Sequence, residues 1–102
     1  MDYNDIVNSS HDVLVEFYAS WCPHCQHMMP IVAQIKELLS DHLDVVQFDI
    51  DDYSRFASEA GVSSVPTFIL HQDGKEIWRQ TGEMTGEALL TSMQEKLQAI
   101  GN

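Results

Sequence analysis

Val13-Leu14-Val15-Glu16-Phe17-Tyr18-Ala19-Ser20-Trp21-Cys22-Pro23-His24-Cys25 is the stretch that decides the fold. Val13 to Ala19 is apolar with one strong interruption, Glu16, and is rich in strand formers. Such a run predicts a strand covered on both faces, as in parallel sheets. From Cys22 to about Ser40 the pattern turns helical, with Ile31, Ile35, Leu38 and Leu39 at i, i+4, i+7 and i+8. Two cysteines therefore stand where a buried strand hands over to a helix. A helix N-terminus offers free N–H groups and partial positive charge, which stabilise a thiolate. Cys22 is predicted to attack disulfides as that thiolate. Cys25, one turn deeper, is predicted to resolve the mixed disulfide. His24, set between the sulfurs after Pro23, would lower the Cys22 pKa further when protonated.

Other uses of the pair fit less well. A bridge from Cys22 to Cys25 closes a loop of only four residues, so as a crosslink it restricts the unfolded chain far less than a long one would. Zinc would take Cys22, Cys25 and His27, but no second Cys or His pair stands at a suitable spacing. Covalent haem attachment needs His directly after the second Cys, and that residue is Gln26.

Outward from this segment the chain alternates elements. Asp2 to Ser10 reads as a short helix with Ile6 and Val7 inward. Asp44 to Ile50 reads as a strand with Val46, Phe48 and Ile50 alternating. Ser54 to Ala60 is a short helix that Gly61 terminates. Thr67 to His71 and Glu76 to Gln80 flank Gln72-Asp73-Gly74-Lys75, a hairpin signal. Thr85 caps a last helix from Gly86 to about Ile100, with Leu89, Leu90, Met93, Leu97 and Ile100 on one stripe. That order predicts an α/β domain over residues 1–102, with two parallel strands and an antiparallel hairpin in one sheet flanked by helices.

Length and charge narrow the function. A chain of 102 residues fits one domain and can bury a core without a disulfide staple. Its formal charge of −11, with five scattered Lys and Arg, repels nucleic acid and anionic membranes. Long-range attraction would favour basic partners instead. Asp49-Ile50-Asp51-Asp52 lacks the remaining ligands of an EF-hand and reads as a solvated strand end. No stretch approaches the roughly 20 apolar residues of a membrane span. The start is acidic rather than leader-like. A chain complete as it stands is expected in the cytoplasm; one trimmed of a leader would be exported.

From Val15 to Cys25 the chain resembles the active-site strand and loop of the thioredoxin family. Val65-Pro66-Thr67, Asp73-Gly74, Gly82 and Pro30 stand where that family carries its cis-proline, hairpin glycine, late glycine and helix proline. The resemblance covers nearly the whole chain. It implies a thioredoxin fold, a cis Pro66 packed against Cys22, and substrate pairing with the backbone at Val65 and Pro66. Without it, a trans Pro66 in a turn is the stronger expectation, since cis X–Pro is about 5–6% of such bonds. The chain also departs from the family. The first strand of a full thioredoxin is expected to be absent, since about a dozen residues precede Val13. Pro-His replaces Gly-Pro between the cysteines and is similar to bacterial periplasmic thiol oxidases. Glu16 replaces the buried Asp, and Gln47 the neighbouring Lys.

Two positions keep two readings. Glu16 either accepts the proton of Cys25 as that sulfur attacks, or points to a solvated sheet edge. Trp21 either walls a docking surface or fills the core. Trp78, His11, His42 and His71 read as surface or packing residues, and Met28 and Met29 as packing or bordering the docking surface. The expected function is protein thiol–disulfide exchange without a cofactor, more oxidising than typical thioredoxin. Protein disulfides or dithiols and a redox partner protein are the expected partners of a monomer. A plain thioredoxin-type reductase, a non-catalytic binding module and a metal carrier are the alternatives.

Overall fold

The computed structural model describes residues 2–9 and 11–97. In chain order these form α1 (Tyr3–Val7), β1 (Asp12–Tyr18), α2 (Pro23–Leu38), β2 (Leu43–Asp49), α3 (Ser54–Glu59), β3 (Thr67–Gln72), β4 (Lys75–Thr81) and α4 (Gly86–Lys96). The sheet order is β2-β1-β3-β4. β1 pairs in parallel with β2 through the α2 crossover, and antiparallel with β3. The expected two parallel strands plus hairpin are this sheet, and among the described residues no strand precedes β1.

β1 is the spine because both its faces are covered. On one face Leu14 packs with Met28, Val32, Ile35 and Leu39 of the α2 segment, and with Leu89, Met93 and Leu97 around α4. On the other, Val13, Val15 and Phe17 meet Tyr3 and Val7 of α1 and Phe56 and Ala57 of α3. The result is helix, sheet, helix, with the C-terminal end of β1 delivering the chain to Cys22. The alternation expected for β2 serves this plan: Phe48, with Val46 and Ile50 half-buried, faces the α1–α3 side, and Leu43 and Val45 face α2.

The α2 stripe differs from expectation. Leu38 is 66% exposed, because Met28, Val32, Ile35 and Leu39 set the inward line and Leu38 falls outside it. The helix starts at Pro23, with Cys22 as its cap, since proline is suited to a first helical position and donates no N–H. It stops at Leu38 rather than Ser40. The helix expected to reach Ser10 ends at Val7, and Ser10 lies outside the described residues, as does Ile100.

Turn chemistry follows the residues. Asp73 and Gly74 have φ of 53° and 80°, the double positive of a type I′ hairpin. Gly61 has φ 68° and closes α3: its N–H donates to Ser58, and that of Val62 to Ala57. The Thr85 hydroxyl accepts the Ala88 N–H at 3.1 Å and caps α4. Among the described residues no helix is long and apolar enough to cross a membrane.

Candidate active site

Extended backbone at Cys22 (φ −88°, ψ 119°) carries the chain from β1 into α2, so its sulfur lies over the first turn of the helix. Cys22 and Cys25 are both free thiols. Cys22 is 6% exposed and Cys25 1%, so the deeper position expected for Cys25 is observed. The N–H of Cys25 is the main influence holding the Cys22 thiol below its ordinary value. The Cys25 thiol and the N–H of His24 add to it, against burial and the Glu83 carboxylate. Burial pushes the Cys25 thiol up to about 11, with the Cys22 sulfur and Glu16 adding to the rise. One sulfur is thus suited to attack, and the other keeps its proton until it is needed.

Beneath the pair, Glu16 is 1% exposed and accepts a hydrogen bond from Gln47 Nε2 at 2.9 Å. The solvated-edge reading of Glu16 therefore does not hold. Burial raises its carboxyl above the usual carboxylate range, and the Gln47 amide offsets this only in part.

Trp21 is not a core residue: it is 64% exposed, and its indole N–H donates to Asp51 Oδ2 at 3.0 Å. It borders an open groove of about 550 Å³ together with Cys22, Ile50, Ala57, Val62 and Val65. The Val65–Pro66 bond is cis, and Pro66 is buried while Val65 is half-buried. Thr67 Oγ1 donates to Ser64 O, and Gly82 N–H to Pro66 O at 2.8 Å, so this loop is fixed from both sides. Pro23 is exposed at the first turn of α2.

His24 lies elsewhere than expected. Its Nδ1 meets Glu83 Oε1 at 2.9 Å, and what it gives Cys22 is a main-chain N–H. His27 reaches the same oxygen at 2.8 Å. Sequence reasoning passed over Glu83; the available signal was His24 and His27 three apart on one helix face, with an acid beside Gly82. Met28 is buried, Met29 is 57% exposed, and His71 packs inside with Nε2 3.3 Å from the Tyr3 hydroxyl. Trp78 is half-buried against the core, and His11 pairs with Asp44 at 3.2 Å. Among the described residues no group of three or more His, Cys, Asp or Glu is arranged to hold a metal ion.

Comparison with known proteins gives a consistent result. The family model for thioredoxin matches residues 1–95. Chloroplastic thioredoxin Y1 of Arabidopsis thaliana is 38% identical over 92 residues, 90% of this chain and 54% of the relative. The chain thus spans about half the length of that relative. A thioredoxin-like protein of Synechocystis is 35% identical over 89 residues, 87% of this chain and 85% of its own length. Among solved structures, a mutant thioredoxin from Halobacterium salinarum superposes with a TM-score of 0.82 at 32% identity, covering 90% of this chain and 80% of that one. The chain belongs to the thioredoxin family.

Proposed function

We propose that this member of the thioredoxin family is a protein thiol–disulfide oxidoreductase. The observation that carries the reading is a pair of free thiols at the start of α2, Cys22 at the helix cap and Cys25 buried more deeply within the first turn. In the reductive direction the Cys22 thiolate attacks one sulfur of a client disulfide. The client S–S bond breaks, one client thiolate leaves, and a mixed disulfide forms. Cys25 then gives up its proton and attacks the Cys22 sulfur, releasing the second client thiolate. Two electrons pass to the client, and Cys22 and Cys25 end as a disulfide. The reverse sequence oxidises a client dithiol.

Each site residue takes a role in this scheme. Glu16, below the pair, accepts the Cys25 proton. Trp21 and Val65 border the groove and, with the neighbouring Pro66, receive the client backbone. Pro23 and His24 set the poise of the couple, which we place on the oxidising side of thioredoxin. Support for that poise comes from the main-chain donors aimed at Cys22, since stabilising the thiolate stabilises the reduced form. The protein acts as a monomeric domain, exchanging electrons with a partner oxidoreductase.

Turnover of insulin disulfides in the presence of dithiothreitol tests the activity. Equilibration against glutathione then gives the direction. No turnover above background would leave a binding module, and a potential at or below that of thioredoxin would leave a reductase.

A further inference from the structure

His24 and His27 are three residues apart on α2, a spacing that puts both side chains on one face. Both rings point Nδ1 at a single atom, Glu83 Oε1. Glu83 sits between two tethered neighbours. Gly82 N–H donates to Pro66 O at 2.8 Å, and Met84 N–H to Met28 Sδ at 3.4 Å. The carboxylate is therefore held between the Pro66 loop and α2. The two imidazoles draw its pKa below the ordinary value, so it is ionised at neutral pH. An ionised carboxylate can only accept, so each ring carries a proton on Nδ1 and turns Nε2 outward.

We propose that Glu83 is a positioning residue for disulfide exchange, anchoring His24 and His27 through one oxygen and setting a negative charge beside Cys22 that restrains its thiolate. This rests on the exchange reading above. The groups acting on Cys22 divide cleanly. The N–H groups of Cys25 and His24 and the Cys25 thiol favour the thiolate, while burial and Glu83 oppose it. Glu16 acts on Cys25, and Asp51 is bonded to Trp21. The restraint limits how oxidising a Pro-His pair becomes.

Glu83→Gln removes the charge and keeps the shape. Its Cys22 thiolate is expected to form at lower pH than in wild type, with the equilibrium shifted roughly two- to threefold at low salt, as for exposed charge pairs. The Cys22–Cys25 disulfide should shift by about the same factor toward the reduced protein in glutathione buffer. About 1 M salt should erase both differences. Glu83→Asp keeps the charge but shortens the reach, so it should hold the wild-type thiolate titration while altering the NMR shifts of the imidazole nitrogens. The thiolate titration is read on the protein alone, so it judges Glu83 even if insulin turnover fails and removes the exchange reading. A Cys22 titration unmoved by Glu83→Gln, or moved to higher pH, overturns the proposal.

Discussion

Gln47 Nε2 donates to Glu16 Oε1 at 2.9 Å between residues directly paired in the β1–β2 ladder. Gln47 is exposed and Glu16 is buried, so the amide roofs the carboxyl. It supplies a hydrogen bond but no counter-charge, and burial decides the shift.

For Glu16 the sign follows from that rise. Folding favours the protonated carboxyl, so its contribution is complete below the unfolded pKa of about 4.3 and is lost as pH climbs through the raised folded value. Glu16→Gln is neutral throughout. It should be more stable than wild type at neutral pH and equal to it near pH 3 or so, by urea unfolding. Stopped-flow kinetics should show mixed-disulfide resolution slowed roughly ten- to a hundredfold. An unchanged resolution rate removes Glu16 as the proton acceptor.

The sulfurs should separate by role. Cys22→Ser is expected to reduce exchange to background, whereas Cys25→Ser should trap long-lived mixed disulfides visible on non-reducing gels. Alkylation of reduced wild type at mildly acidic pH should label Cys22 first, because Cys25 is held up at about 11. Mass spectrometry of the labelled peptide decides; label on Cys25 first would reverse the assignment.

Replacing Pro23-His24 by Gly-Pro tests redox poise. The family scale runs from about −270 mV for thioredoxin to about −120 mV for the Pro-His periplasmic oxidase. The swap should lower the potential by tens of millivolts, roughly, and raise the Cys22 pKa with it. Glutathione equilibration alongside a thiolate titration measures both. If neither moves, Pro23 and His24 do not set the poise.

Trp21 should matter for clients and not for small thiols. Trp21→Ala removes an exposed ring beside the groove, so KM for a protein disulfide is expected to rise about tenfold, the cost of an interface anchor. Exchange with a small aromatic disulfide should stay within about twofold, well below a change of 1 kcal/mol. Equal losses on both would make Trp21 structural.

The parts of this molecule written in local sequence were legible. Alternation at Val46 and Phe48, Asp73-Gly74 in the turn, Gly61 after α3 and Thr85 before α4 each act through their own backbone, so a short window contains their cause. Leu38 misleads because helical periodicity does not say which of two adjacent leucines faces the sheet; Val32 and Met28, two and three turns earlier, settle it. Glu83 was hidden for a different reason. It lies 59 residues from His24 in sequence, and only the return of β4 beside the Pro66 loop brings the two together. Trp21 and Glu16 show the same limit from opposite sides: an aromatic in a motif and an acid in a strand do not declare their exposure.

Because both sulfurs stand on one turn of one helix, closing the bridge ties no distant parts of the chain together. Oxidation therefore restricts the unfolded state less than a bridge across a long loop would. The difference in unfolding free energy between the two redox forms equals the difference in reduction free energy between folded and unfolded chain, by a closed thermodynamic cycle. Beyond that loop-closure contribution, the difference is set by how the fold treats the Cys22 thiolate. A fold that welcomes it melts later when reduced than when oxidised, the reverse of a stapled extracellular domain. Two melting curves, one for each redox form, thus weigh the oxidising strength of this protein without a redox buffer.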